Sequence, residues 1–182
     1  DHLEFVSANE NTKSSPVGGY GVQITEAATR SSVQGTVPLT QAMIDAGEQL
    51  TFSEGGRTLN FETKAGESVE TTLNRLDKAI IQSGMDIEIV RTPGSAANQH
   101  APQILRFRHK EYGSEHSFQV ASNTAGVLSS RRNTSDTIKN GVDVSGFIGG
   151  ELGLGRGQVL TGSVPTKVSG LKKKTKNNNT KR

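Results

Sequence analysis

The residues best suited to chemistry in this sequence are two histidines and a glutamate that lie close together, His109, Glu111 and His116. Imidazole nitrogens and carboxylate oxygens bind divalent metal ions when several of them converge from defined faces. This group straddles residues 112–114, YGS, which predict a turn, and no second cluster stands ready to complete a site. We therefore expect structural or surface histidines here and no metal ion.

A glycine-rich segment, residues 153–157 with the sequence GLGRG, is the second candidate, because glycine loops can hold phosphate groups. Phosphate loops lie between a strand and a helix, so that the helix N-terminus faces the phosphate. The next five residues, QVLTG at 158–162, predict a strand, and no Lys-Ser or Lys-Thr pair follows the last glycine. The segment predicts a β-turn shaped by glycine and no bound nucleotide cofactor.

The other groups that could act in catalysis are isolated. No serine lies in a Gly-x-Ser-x-Gly elbow, cysteine is absent, and the carboxylates are scattered without a persuasive acid and base pair. His2 and His100 stand in polar, irregular stretches. We expect no catalytic, cofactor-binding or metal-binding residue, and the sequence therefore predicts a protein that is not an enzyme.

Positive charge is concentrated at the C-terminus. The net charge is +3, yet residues 172–182 hold six of the 21 lysines and arginines and no acidic residue. The rest of the chain is mildly acidic and does not alternate basic with aromatic residues, as a nucleic-acid interface would. We expect a disordered basic tail over 172–182 and no nucleic-acid partner.

Membrane insertion is not expected either. The sequence contains no run of about eighteen apolar residues. Its first residues lack the charged and then apolar pattern of an export signal, and they do not include an initial methionine. We expect a fragment of a longer protein.

A β-hairpin is the clearest local prediction. Residues 49–53 and 58–62 alternate apolar with polar side chains, as half-buried strands do. Between them, residues 54–57, EGGR, have the length and the glycines of a hairpin connection. An earlier segment, 20–25, alternates in the same way and predicts another strand.

An amphipathic helix over 68–83 follows the hairpin. Ser68 is a suitable N-cap, Gly84 a suitable C-terminal stop, and an apolar stripe runs along one face at Val69, Leu73, Leu76 and Ile80. A strand over 86–90 comes next, so hairpin, helix and strand predict a compact α+β module whose helix covers the sheet.

The second half of the chain predicts shorter strands. Residues 104–108 and 117–120 resemble a second hairpin, and 128–140 is polar enough for a linker or exposed turn. The stretch 140–162 combines many glycines with isolated apolar residues, which is typical of strands with tight turns and close backbone contacts.

These elements predict an α+β, mostly β fold with antiparallel sheets, hairpins and one main amphipathic helix. We expect two small subdomains, because the hairpin and helix module interrupts the other β segments. The predicted division is a discontinuous β-rich subdomain at 14–35 and 135–171, an inserted α+β subdomain at 36–130, and the tail at 172–182.

Three stretches, the second with a continuation, resemble in order the flagellar filament-cap family, hook-associated protein type 2. The most specific is 143–162, DVSGFIGGELGLGRGQVLTG; the others are 19–29, GYGVQITEAAT, the segment 50–90, which resembles the hook IN motif, and its continuation 104–120. One departure is Ile80-Ile81-Gln82, where the motif has an Ile-Asn pair at the helix end. The resemblance covers about residues 19–171.

The resemblance implies the head domains of a homo-oligomeric cap at the distal tip of the bacterial flagellum. Such a protein is secreted through the flagellar export apparatus, acts outside the cell, and guides flagellin into the filament. Its partners would be copies of itself, flagellin and other hook-associated proteins, with no cofactor or substrate.

Two other interpretations stay open at this point. Flagellins share the hook IN motif, so the chain could be the variable outer domain of a flagellin. The chain could also be a surface adhesin whose β domain binds glycans or a host surface. All of these functions work through surfaces.

Overall fold

The computed structural model describes residues 3–91 and 98–176 of the chain. These residues form two helices, α1 (Gln41–Asp45) and α2 (Val69–Ser83), and thirteen strands: β1 (Leu3–Ser7), β2 (Val22–Glu26), β3 (Ser32–Gln34), β4 (Gln49–Glu54), β5 (Arg57–Glu62), β6 (Ile87–Ile89), β7 (Arg106–His109), β8 (Gln119–Ser122), β9 (Asp136–Thr137), β10 (Ser145–Ile148), β11 (Glu151–Arg156), β12 (Val159–Gly162) and β13 (Lys172–Thr175). The predicted α+β, mostly β fold with antiparallel sheets is confirmed. Neither described helix is long and apolar enough to cross a membrane.

The chain forms two compact units. The terminal unit comprises residues 3–30, 112–115 and 141–176, and the inserted unit comprises 31–91, 98–111 and 116–140. Each unit has its own cluster of buried apolar side chains.

The terminal unit is built on one six-stranded sheet in the order β1-β13-β12-β11-β10-β2, with every neighbouring pair antiparallel. Its core is small and contains Ala28, Val144, Ile148, Leu160, Val168 and Leu171. Half-buried and buried residues alternate along β10 and β12, so one face of the sheet covers this core.

The inserted unit contains a three-stranded sheet, β3-β7-β6, and a four-stranded sheet, β5-β4-β8-β9. The hairpin of β4 and β5 pairs Phe52 with Leu59 and ends at the turn predicted from the glycines. The ring of Phe52 lies 4.7 Å from that of Phe107, centroid to centroid, so aromatic packing links the two sheets.

Helix α2 begins and ends where its sequence predicts. The Ser68 hydroxyl accepts the Thr71 N–H at 3.1 Å, and Gly84 ends the helix in the left-handed conformation with φ of 70°. The apolar stripe predicted from Val69 to Ile80 is buried. Burial of this stripe holds the helix against β5 and β6 of the same unit.

Several predicted boundaries are wrong because pairing crosses them. Strand β3 pairs with β7, and β9 pairs with β8, so residues 32–34 and 136–137 belong to the inserted unit and not to the β-rich subdomain at 14–35 and 135–171. The segment predicted as a linker, 128–140, also buries Leu128 and Ile138.

The predicted second hairpin does not form. Strand β7 lies between β3 and β6, whereas β8 lies between β4 and β9, so the two strands belong to different sheets. The residues between them include 112–115, which are part of the terminal unit.

The predicted disorder of the basic tail is wrong at its start. Lys172–Thr175 form β13, which pairs with β12 on one side and β1 on the other. Along β13 the exposure alternates, so Lys172 and Lys174 are exposed while the backbone fills an interior position in the sheet, next to the edge strand β1. The remainder of the predicted tail, residues 177–182, lies outside the described residues.

Candidate functional site

His109 is a buried structural residue at the end of β7, with 2% of its surface exposed. Its Nδ1 accepts the backbone N–H of Glu111 at 3.0 Å, which assigns the proton of a neutral ring to Nε2. Nε2 faces Glu54 Oε1 at 3.6 Å. Both ring nitrogens are thus turned toward protein groups.

The structure brings His116 onto His109. The two rings stack with centroids 4.8 Å apart and planes 22° apart. Glu111 contributes a backbone N–H and is itself exposed. Across residues 3–91 and 98–176, no three His, Asp or Glu side chains gather in a group that could hold a metal ion.

The third histidine of the described residues makes a different contact. His100 contacts Gln41 at the surface, with Nδ1 2.8 Å from the amide oxygen, and His2 lies outside the described residues. Among the three histidines at 3–91 and 98–176, the structure stacks His109 and His116.

The glycine segment 153–157 lies in β11 and the turn to β12, between two strands. Gly153 lies against the side chain of Leu160, where a Cβ would come within 2.7 Å of it. At Gly155 a Cβ would overlap the carbonyl oxygen of Val144. These glycines allow the backbone to pack closely, and no helix N-terminus follows them to receive a phosphate.

Asp143 is a polar anchor that the sequence did not indicate. One carboxylate oxygen accepts the N–H of Gly157 at 2.7 Å and the N–H of Ser114 at 3.1 Å. The other accepts the Ser114 hydroxyl at 2.5 Å. These bonds join segment 112–115 to the turn after β11. Since the three residues are far apart in the sequence, no local pattern could reveal the anchor.

Three carboxylates in the inserted unit have a lowered pKa. The N–H of Gly66 lowers the pKa of Asp45, the Arg75 guanidinium lowers that of Glu67, and the N–H of Ser130 lowers that of Asp136. Each carboxylate stays charged near neutral pH and accepts hydrogen bonds that hold loops or ends of elements. A general acid needs the opposite shift, so these groups are structural.

Exposed apolar side chains mark the strongest candidate surface, on the side of the six-stranded sheet away from its core. We call this side the outer face. Leu152 is 61% exposed and Leu154 is 65% exposed on β11, and half-buried Phe147 lies opposite Leu152 on β10. An open groove of about 560 Å³ borders Phe147, and none of its lining residues is titratable. The outer face can bind by apolar contact and charge.

The alternation in β11 was the available signal for this surface. Its residues read Glu-Leu-Gly-Leu-Gly-Arg, and the glycines take the more buried positions while the leucines are exposed. Larger apolar residues usually take the buried positions of a strand, so this inverted order could have indicated the outer face.

The chain matches no known family model, and no curated protein is significantly similar to it in sequence. Solved structures are similar to it. The D2-D3 domains of the flagellar cap protein FliD from Serratia marcescens share 11% identity, with a TM-score of 0.61 over 97% of this chain and 93% of that one. Those from Escherichia coli share 11% identity, with a TM-score of 0.58 over 99% of this chain and 91% of that one.

A second crystal form of the Serratia marcescens domains gives a TM-score of 0.55 at 13% identity, over 100% of this chain and 96% of the other. The fold resemblance inferred from the glycine-rich and hook IN-like stretches is confirmed. The chain has the fold of flagellar cap D2-D3 domains.

Proposed function

We propose that this chain forms the head domains of a flagellar filament cap, the homo-oligomer that helps flagellin subunits assemble at the distal tip. The observation that carries the proposal is the match of nearly the whole chain, in both of its units, to the D2-D3 domains of two flagellar cap proteins. The protein acts outside the cell after export through the flagellar apparatus.

The chemistry of the described residues supports a scaffold. His109 and the carboxylates of Glu67 and Asp143 make structural contacts, and the glycine segment makes a close-packed hairpin. A scaffold of this kind acts by presenting surfaces to copies of itself and to flagellin, with no cofactor, covalent step or nucleic acid. It is not an enzyme.

The test is to locate the protein and remove it. We expect antibodies raised against the 182-residue chain to label the distal tip of each filament in electron micrographs. Deletion of its gene should abolish filaments and release unassembled flagellin into the medium, and the intact gene should restore filaments.

Other labelling patterns would contradict the proposal. Label along the whole filament would indicate the outer domain of a flagellin. Label on the cell body with normal filaments after deletion would indicate a surface adhesin. Both patterns are distinguishable from tip labelling in the same micrographs.

A further inference from the structure

The outer face of the terminal unit exposes apolar side chains at its centre. Leu152 and Leu154 lie two residues apart on β11, so their side chains project from the same face. Phe147 is paired with Leu152 across the sheet and adds its ring to the same side. Exposure of apolar surface to water is unfavourable, and apolar side chains grouped on one sheet face are typical of a protein contact surface.

Opposite charges lie on the two sides of this centre. Leu154 pairs with Thr161 on β12, which pairs with Lys172 on β13. On the other side, β10 carries Ser145, which pairs with Glu26 on β2. Lys172 and Glu26 are both exposed. On the outer face, Lys172 thus lies on one side of the apolar centre and Glu26 on the other, and we call these two positions the cationic flank and the acidic flank.

The two flanks are placed symmetrically about β11. Going outward from β11, β12 and β13 lie on one side, and β10 and β2 on the other. With neighbouring strands about 4.8 Å apart, Lys172 and Glu26 each lie roughly 10 Å from β11, in opposite directions. Rotation by a half-turn about an axis parallel to β11 therefore exchanges the cationic and acidic flanks.

We propose that a second copy of this chain docks on the outer face, sheet against sheet, about a two-fold axis that runs along β11. The leucines of the two copies pack together at the centre. Lys172 of each copy lies opposite Glu26 of the other. Stacked sheets pack about 10 Å apart, which is a distance that leucine and phenylalanine side chains can fill.

Contact through the sheet edges is disfavoured. The pairing of β1 with β13 is irregular between Phe5 and Ser7, and that of β2 with β10 is irregular between Ser145 and Gly146. Such bulges twist edge strands and hinder the addition of another strand. The regular strands at the centre of the outer face remain the better platform.

The contact is isologous, so it closes at two copies and does not build a ring. It does not depend on the cap function proposed above. If the purified chain does not dimerise, tip labelling and filament assembly can still be observed. If the protein is not at the filament tip, dimerisation can still be measured with the purified chain.

Sedimentation equilibrium of the 182-residue chain tests the contact. We expect a reversible monomer–dimer equilibrium, and we expect Leu154→Lys to raise the dimer dissociation constant at least about tenfold, since it buries an unpaired charge at the centre. Ile81→Lys is the matched control, because Ile81 is 62% exposed on α2 of the inserted unit. It should leave the constant unchanged.

A charge exchange tests the two-fold arrangement itself. Lys172→Glu and Glu26→Lys should each weaken the dimer, and the double variant should recover most of the original affinity. Both residues are exposed, so these variants should fold even if Leu154→Lys does not. A chain that stays monomeric at all concentrations overturns the proposal. A double variant that dimerises no more tightly than the weaker of the two single variants overturns it as well.

Discussion

The two units of this chain stabilise their sheets by different means. Among the described residues, the inserted unit buries eighteen apolar side chains in one cluster, including Phe52, Phe61, Phe107 and Phe118. The corresponding cluster of the terminal unit has six such residues, and none of them is aromatic. Burial of apolar side chains therefore contributes more to the stability of the inserted unit than to that of the terminal unit.

The terminal unit relies more on close backbone packing. Gly155 lies against the Val144 carbonyl, and the N–H of Val144 donates to the carbonyl of Gly157 at 2.9 Å. Asp143 adds three hydrogen bonds within the same region. The comparison shows that a β-rich unit with few large apolar residues can be held by shape and hydrogen bonding where the backbone comes close.

The largest expected effect is the loss of an aromatic side chain from the inserted unit. Phe52 is fully buried, so Phe52→Ala should lower the free energy of unfolding by about 3–5 kcal/mol through lost burial and a residual cavity. Urea denaturation followed by circular dichroism measures it. Phe5→Ala, at a residue 58% exposed, should change stability by less than about 0.5 kcal/mol. Equal losses of stability in the two variants would contradict the conclusion that the inserted unit depends on buried aromatic side chains.

A single added methyl group should damage the terminal unit nearly as much. Gly155→Ala places its Cβ on the Val144 carbonyl, and relief requires backbone movement, for an expected loss of about 3 kcal/mol, the upper range for overpacking. Gly21→Ala is the control, because its Cβ would meet no atom within 4 Å. The same denaturation assay compares them, and a tolerated Gly155→Ala would show that the close contact is unimportant.

The polar anchor comes third. Asp143→Ala should cost about 1–3 kcal/mol, since it leaves the N–H groups of Ser114 and Gly157 without their acceptor. Glu115→Gln, which disrupts the exposed ion pair with Arg156, should cost about 0.2–1 kcal/mol. Hydrogen exchange at Gly157 should rise with the first substitution only. Similar losses for both would mean that the anchor acts as an ordinary surface contact.

The smallest expected effect is a loss of stability at low pH. Arg75 lowers the folded-state pKa of Glu67 below its ordinary value of 4.5, so the stabilisation is present above that value and is lost as pH falls through the lower folded-state pKa. Stability of the inserted unit should therefore decline below about pH 4.5. Urea midpoints at pH 7 and pH 3 should differ less in Glu67→Gln than in the wild type or in Glu62→Gln. An unchanged difference would exclude a contribution from this pair.

Local sequence signals predicted one part of the inserted unit, the first hairpin and the long helix. The hairpin of β4 and β5 and the helix α2 depend on alternation, turn glycines, an N-cap and an apolar stripe, all within 36 residues, 49–84. These signals act over a few residues, so they can be read without knowing the fold.

The failures share a long-range cause. The cluster of lysines around Lys172 indicated a solvated tail. The strand β1 that pairs with this segment lies at the other end of the chain, so nothing near Lys172 in the sequence indicated a strand. Likewise, 104–108 and 117–120 resembled a hairpin because they are close in sequence, whereas their strands pair with more distant partners. The alternation of residue types along a short segment does not show which distant strand it will pair with.

The sequence indicated only part of the candidate site. The inverted alternation of β11 is present in the sequence, but its meaning depends on which face of the sheet meets the core. Asp143 had no local signal at all, since its partners lie 29 and 14 residues away.

The pairing of Leu3 with Thr175 limits the order in which the two units can fold as the chain emerges from a ribosome. The inserted unit has all of its strands once residue 140 has appeared, whereas the six-stranded sheet must wait for β13. Closing a loop of that length is entropically costly and slow. The inserted unit can therefore be complete first, and β1 is the last strand to find its neighbour.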